Sequence, residues 1–409
     1  MSHPPARPLW QGRTLAVVGV IAVAFSLRSA VAALSPIVTH IDGDIGLPAA
    51  VVGLIGTVPP VCYAVFGILT PLMERKVGLE RLLMLALVIM TLGQVVRVIS
   101  PSALMLLLGT IVTFAGVGVA NVLLPPIVKT YFSDRIGMMT AVSTTVMSIS
   151  SFIPPLIAVP VSDAATWRLS LALWAGAAAV ALVPWIVLAA RAKAAHAGVQ
   201  AASPAALGRM FRLPLAWGLV ATFTATSSLA YTVFAWLPQI LVDLAGVRAV
   251  EAGAMLSLFA VMGFPTAVLV PMVVARFGSR SLPALYVVGI VSGFLGLAGL
   301  GFAPSAAPWL WVGLLGAAPL FFPLTFVLLS LRTRTSSTSV ALSGFVQSVG
   351  YGVAALFPLT IGILHEGTRS WDIALILLAV GVSFGIVGFF LVRGPQKIED
   401  QWEARHGAW

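Results

Sequence analysis

The chain has 409 residues, of which 59% are hydrophobic and only 9% charged, with a formal charge of +10. A water-soluble domain carries about a quarter of its residues as charges, so that class is excluded. In so apolar a chain the positive balance reports membrane orientation rather than a nucleic-acid partner.

Twelve apolar segments follow one another, each long enough to cross a bilayer, which takes about 20 residues. They are predicted near 14–41, 48–73, 82–99, 103–129, 137–160, 167–190, 214–242, 250–275, 282–303, 307–331, 339–364 and 371–392. Glycine and proline inside them are compatible with spanning helices, because neighbouring spans satisfy the freed backbone groups. The first segment has a rival reading as a signal peptide: Arg7 and Arg13, an apolar stretch, then Ala30-Val-Ala-Ala33. Arg28 interrupts that stretch, and cleavage would leave eleven spans. The longest polar interruption, about 191–213, predicts an N-terminal six-helix half over 1–190, a linker over 191–213, a C-terminal half over 214–393 and a tail over 394–409.

Arg28 stands midway along the first segment, which holds no acidic residue. A guanidinium at the centre of a spanning helix costs about 2.5–3.5 kcal/mol on insertion scales, and an ionisable residue there marks a functional site. Its planar fork of donors matches a carboxylate, a nitro group or a linear anion. The competing reading is a structural arginine bonded to backbone carbonyls. On a continuous helix Arg28, Ala32, Ser35 and Thr39 share one small, polar face suited to a water-filled cavity.

Charge along the loops sets the orientation. With the N-terminus inside and sides alternating, eighteen of the 23 Lys and Arg fall inside, from Arg7 to Arg405. Arg97, Arg168, Arg248 and Arg369 fall outside. The asymmetry predicts both termini in the cytoplasm. Lys129 and Arg97, at span ends, are expected to snorkel to opposite surfaces; an anion vestibule is their alternative use. His40 and His365 lie near outer ends without a Cys or carboxylate cluster and make poor metal ligands.

The halves repeat at an offset of 200 residues. Pro71-Leu-Met-Glu-Arg-Lys-Val-Gly78 aligns with Pro271-Met-Val-Val-Ala-Arg-Phe-Gly278, Gly53 with Gly253 and Gly46 with Gly246. Further on the register is looser: Pro125 pairs roughly with Pro323, and Pro154–Pro155 with Pro358. Parallel six-span repeats build one large class of secondary transporters, with the substrate near midplane between the halves. The loop Glu74-Arg-Lys-Val-Gly78-Leu-Glu-Arg81 resembles the cytoplasmic signature of the major facilitator superfamily, with Glu74 where that family usually has aspartate. The resemblance implies an all-α membrane protein of twelve transmembrane helices in two pseudo-symmetric halves. It also implies a charge lock at Glu74, Arg75 and Gly78; a solvated basic loop is the plainer account.

Gly116-Val-Gly-Val-Ala-Asn121-Val-Leu-Leu-Pro125-Pro-Ile-Val-Lys129, followed by Phe132-Ser-Asp-Arg135, resembles the cyanate and 2-nitroimidazole transporter family, as does Ser26-Leu-Arg28-Ser. That family usually has asparagine before the Leu-Arg pair and proline after it, where this chain has Ser26 and Ser29. The resemblance implies alternating access but does not name the substrate, because members of that family carry dissimilar small molecules. Arg28 points to a small anion or planar nitro- or cyanate-like molecule, with export of a neutral or weakly acidic nitroheterocycle as the alternative.

Asn121 can bond substrate or bridge two packed spans. Tyr231 and Trp236 in the seventh span, and Gln347 and Tyr351 on one face of the eleventh, offer flat walls and polar edges for such a ligand. Trp and Tyr in spans also serve as packing and interface residues. All 13 acidic residues fall in loops or at span ends. With no H-E-x-x-H and no G-x-S-x-G, an intramembrane enzyme is the weaker rival. No cofactor and no metal are expected. The expected partners are the lipid bilayer of the cell (inner) membrane and a small-molecule substrate, with the protein acting as a monomer.

Overall fold

The computed structural model describes residues 13–132, 134–191 and 208–406. Apolar helices follow one another with short connections, and no strand occurs among the described residues. The first six spans are α1 (Thr14–Ala32) continued by α2 (Val38–Ile45), α3 (Ala49–Val77), α4 (Leu79–Val98), α5 (Ala103–Tyr131), α6 (Ile136–Ala164) and α7 (Trp167–Arg191). The last six are α8 (Pro214–Ala245), α9 (Ala249–Phe277), α10 (Leu282–Phe302), α11 (Pro308–Ala317) with α12 (Phe321–Leu331), α13 (Ser336–Ala354) with α14 (Leu356–Thr368), and α15 (Asp372–Val392). A short helix, α16 (Ile398–His406), closes the described chain. Residues 192–207, the heart of the predicted linker, lie outside the described residues.

The apolar stretch Ala249–Phe302 runs for 54 residues. At 1.5 Å per residue it would be more than twice the thickness of a bilayer core as one helix. It turns at Gly278, whose φ of 61° ends α9 beside Arg276 and Arg280. That turn makes two crossings of it and brings the total to twelve.

The twofold repeat is written in the backbone. The positive-φ glycines are Gly46, Gly78, Gly246 and Gly278, at 65°, 87°, 66° and 61°. They form two pairs 200 residues apart. Only glycine enters this region at no steric cost, so the repeat is one of chain geometry and not of sequence alone.

Three spans are broken, each beside a proline. A proline cannot donate a backbone hydrogen bond, and its ring clashes with the carbonyl four residues back. Pro36 acts on Ala32, where α1 ends; Pro358 acts on Ala354, where α13 ends; Pro319 lies in the 3₁₀ turn Ala318–Leu320 between α11 and α12. The first break corrects the continuous face expected from Arg28 through Thr39. After Ala32 the chain passes through a 3₁₀ turn, Ser35–Ile37, which leaves Ser35 buried and Thr39 exposed.

The halves meet closely at the end of the bundle opposite the termini, the far end. A Cβ placed on Gly53 of α3 would lie 2.8 Å from the Pro358 carbonyl oxygen, and one on Gly253 of α9 would lie 2.5 Å from that of Pro155. Thr57 Oγ1 donates to the Ala355 carbonyl at 2.9 Å, and Ser257 Oγ to that of Phe152 at 2.8 Å. Eleven residues beyond Gly56, three turns along the same face of α3, the picture changes. A Cβ on Gly56 meets Ala235 and Pro358, whereas one on Gly67 meets nothing within 4 Å. Gly263 on α9 and Gly344 on α13 are likewise open. The bundle is sealed at the far end and spread at the end bearing the termini.

Each half carries its own clamps. At the termini end Arg13, the residue before α1, pairs with Asp134 at 2.5 Å, and this pairing holds the Asp134 carboxyl down at about 2. At the far end Asp44 accepts from both Arg168 and the Trp167 indole. The tail helix α16 docks on the second half. Arg334 pairs with Asp400 and Glu403, Leu215 N donates to Gln401 Oε1, and Arg209 lies over the Trp402 ring.

Candidate functional site

Arg28 reaches the space between the halves near the middle of the bundle. Its guanidinium lies close to Tyr231 of α8, Tyr63 of α3 and Tyr351 of α13. The three rings form a triangle, with centroids 6.1 Å apart for Tyr63–Tyr231, 5.4 Å for Tyr63–Tyr351 and 5.9 Å for Tyr231–Tyr351. Phe223 of α8 meets Tyr351 edge-on at 4.8 Å. Thus Arg28 and Tyr63 come from the first half and the other two tyrosines from the second.

Arg28 is half-buried, so part of its surface is accessible. Its polar neighbours are phenols, and no carboxylate pairs with it among the described residues. Uncompensated charge at such depth is costly, whereas phenol hydroxyls can both accept from the guanidinium and donate to a ligand oxygen or nitrogen. Flat rings gathered beside a planar fork carry the groups that would recognise a small, flat, electron-rich molecule.

The other predicted residues fall in different places. Gln347 lies one turn from Tyr351 on α13, half-buried, with Nε2 donating to Ser343 Oγ at 2.8 Å. Asn121 is half-buried on α5 and makes no side-chain hydrogen bond among the described residues. Trp236 lies apart. Its indole N–H donates to the Pro358 carbonyl at 3.0 Å and its ring packs against Trp371 at 5.6 Å, deep in the far-end core. It is therefore no wall of the tyrosine triangle.

The loop residues also resolve. Gly78 ends α3 with its N–H on the Glu74 carbonyl at 2.8 Å, and Arg75 is exposed. Glu74 is 0% exposed, with neither carboxylate oxygen bonded among the described residues. It is buried, not a solvated loop charge. Lys129 is exposed at the termini end. Arg97 departs from expectation: it does not snorkel but is 2% exposed, with Nη1 on the Ala30 carbonyl at 3.2 Å. The cause is Gly109 of α5, where a Cβ would lie 3.0 Å from Arg97 Cγ, so glycine leaves the side chain a path inward.

Tyr63 was not legible as a site residue. An aromatic in an apolar span usually packs, and only the fold shows that three of the chain's five tyrosines converge on one arginine. No cluster of His, Cys, Asp and Glu fit for a metal occurs among the described residues.

The sequence profile of the Major Facilitator Superfamily matches residues 20–358. The chain is 27% identical over 390 residues to the 2-nitroimidazole transporter of Escherichia coli (strain K12), covering 95% of this chain and 97% of that one. It is 25% identical over 389 residues to the cyanate transport protein CynX of the same organism, covering 92% and 97%. Among solved structures, the nucleoside transporter NupG superposes with a TM-score of 0.73 at 12% identity, over 92% of this chain and 98% of that one. That last likeness is one of fold.

Proposed function

The chain belongs to the Major Facilitator Superfamily, and from that premise we propose that it moves a small anion or planar cyanate- or nitro-like molecule by alternating access, with Arg28 as the anchor. It is a multi-pass membrane transporter, and its substrate is a small molecule. The observation that carries the finer reading is the unpaired Arg28 guanidinium inside a triangle of tyrosines contributed by both halves. An anion offsets the charge, and its two acceptor atoms match the fork. The tyrosine rings receive the ligand's flat faces and their hydroxyls its edges. Asn121 and Gln347 complete the proposed set of ligand contacts. The relatives' names, cyanate and 2-nitroimidazole transporters, suit such a slot.

In this account ligand bound across the triangle couples the halves. The Gly53–Pro358 and Gly253–Pro155 contacts then separate while the termini end closes. Glu74, Arg75 and Gly78 act there as the lock, Glu74 needing a partner that the open state does not supply. The charge asymmetry of the loops puts the termini in the cytoplasm, so the cleft faces inward. The protein works as a monomer, since one chain holds both halves of the site.

The triangle also suits a neutral or weakly acidic nitroheterocycle leaving the cell, because stacking does not require charge. The deciding experiment is uptake and counterflow of cyanate and of 2-nitroimidazole in proteoliposomes, with Arg28→Ala beside the wild type. Saturable flux lost in Arg28→Ala supports the reading. Flux unchanged in Arg28→Ala refutes the anchor.

A further inference from the structure

A cavity of about 30 Å³ lies beside Tyr231 on its far-end side. Arg28 is not among its lining residues; Ser35, Arg97, Thr110, Phe114, Tyr231 and Phe234 are. Two polar groups on its wall are orphaned. Arg97 Nε and Ser35 Oγ are buried and lack a hydrogen-bond partner among the described residues. A buried donor without an acceptor costs about 1–3 kcal/mol, and more when charged. Arg97 has no ion-pair partner among the described residues, and its one hydrogen bond, to Ala30 O, leaves most of its five donors unused.

A structural arginine would be expected to spend its donors on backbone carbonyls. Here only Nη1 is spent that way, on Ala30 O. Gly109 clears a path for the side chain, and the 3₁₀ turn at Pro36 carries Ser35 into the same space. The cavity is large enough for a water or two, or one small anion. Thr110 is already committed, its hydroxyl donating to the Leu106 carbonyl at 2.7 Å. The groups left to face an occupant are therefore one cation and one hydroxyl, with aromatic rings around them.

We propose that Arg97 and Ser35 form a second binding site for a small monovalent anion, a halide, pseudohalide or compact oxyanion. It lies on the far-end side of the Arg28 site, and Tyr231 is the partition between them. Its place in a transport path rests on the anion reading of Arg28; the site itself does not. An anion released by Arg28 when the far end opens meets Arg97 next, so two cations spaced along the span lower the barrier between cleft and far-end mouth. Tyr231 touches both positions, and turning its ring is the step between them.

Bromide tests this directly, because its anomalous scattering marks where it binds. Full-length wild type, Arg28→Met and Arg97→Met are crystallised with sodium bromide replacing sodium acetate. The expected result is a bromide peak at hydrogen-bonding distance from the Arg97 guanidinium in the wild type and in Arg28→Met, absent in Arg97→Met. A peak at Arg28 alone overturns this inference and leaves the Arg28 anchor standing. A peak at Arg97 alone upholds it and removes the anchor. Water only at Arg97 overturns it. In the same variants, Arg97→Met should raise the half-saturation of cyanate or bromide entry from the far end about tenfold, the loss of one charged hydrogen bond. A bromide peak with unchanged half-saturation would mark an adventitious ion and also overturn the proposal.

Discussion

Gly53 and Gly253 occupy equivalent positions in the two halves, and each touches a proline carbonyl of the other half. Gly53 faces Pro358 and Gly253 faces Pro155. The two contacts together seal the far end. A side chain larger than hydrogen would push the halves apart there and nowhere else.

The first prediction follows from that seal. Gly53→Val or Gly253→Val should destabilise the closed far end by about 1–3 kcal/mol, the usual cost of overpacking, which is roughly a 5- to 150-fold shift in the population ratio. Spin labels at Pro101→Cys and Ser305→Cys, on far-end loops of opposite halves, would report it after Cys62→Ser removes the native thiol. The distance distribution should move to longer values. An unchanged distribution would show that the far end has slack to absorb the methyl groups.

The second concerns Arg28 and its tyrosines. Arg28→Lys keeps the charge but loses the fork, so ligand affinity should fall about 10- to 100-fold, the worth of one or two charged hydrogen bonds. Tyr63→Phe and Tyr231→Phe should each cost less, because only a hydroxyl is lost. Ligand-induced thermal shift on purified variants measures both. If Tyr63→Phe binds like wild type while Tyr231→Phe does not, only Tyr231 contacts ligand.

Much of this architecture was readable beforehand, for physical reasons that differ by feature. Spans announce themselves because a bilayer tolerates few charges, and the repeat because positive-φ glycines cannot be replaced cheaply. The breaks at Ala32 and Ala354 were implicit in Pro36 and Pro358, yet an apolar run conceals them. Side-chain direction was the hard part. Arg97 looked like an end-of-span snorkel because its sequence neighbours are apolar, but its path inward is set by Gly109 on another helix. Trp236 shares a span with Tyr231 yet lies at the far end, and sequence gives depth along a helix better than which partner a face will meet.

The third prediction concerns Glu74, fully buried with both oxygens unbonded among the described residues. Removing that charge should favour the present state. Glu74→Gln should raise the melting temperature by about 2–4 °C while slowing turnover more than it weakens binding, since the lock is used only when the termini end closes. A variant that loses both equally, or neither, would exclude the lock.

The fourth is a pH dependence at the termini end. Arg13 holds Asp134 at about 2, below the ordinary carboxylate value near 3.9. A depressed folded-state value means stability that is fully present above about 4 and lost as pH falls toward 2. Acid melting curves of wild type and Asp134→Asn should therefore differ above pH 4 and converge near pH 2. The pair is solvent-exposed, so the gap should be small and shrink with salt. Curves that stay parallel to pH 2 would assign the difference to another group.

The last prediction is about energy. Carriers driven by protons commonly hold a carboxylate or histidine within the membrane. Here the acidic residues reach no further than the span ends. Asp42 is exposed and accepts the Leu47 N–H at 2.6 Å; Asp243 is exposed and accepts the Trp371 indole at 2.9 Å. Neither reaches the tyrosine triangle. Glu74 and Glu399 are buried, but both lie at the termini end. An anion entering against an inside-negative potential faces about 2.3 kcal/mol per 100 mV, and no group beside Arg28 is placed to carry a compensating proton. The expected behaviour is facilitated movement, exchange or export of the anion. In proteoliposomes, an imposed pH gradient should then drive no uphill accumulation of a substrate that stays ionised throughout, while counterflow proceeds. Accumulation that disappears in Glu74→Gln would instead make Glu74 the proton carrier and reverse this conclusion.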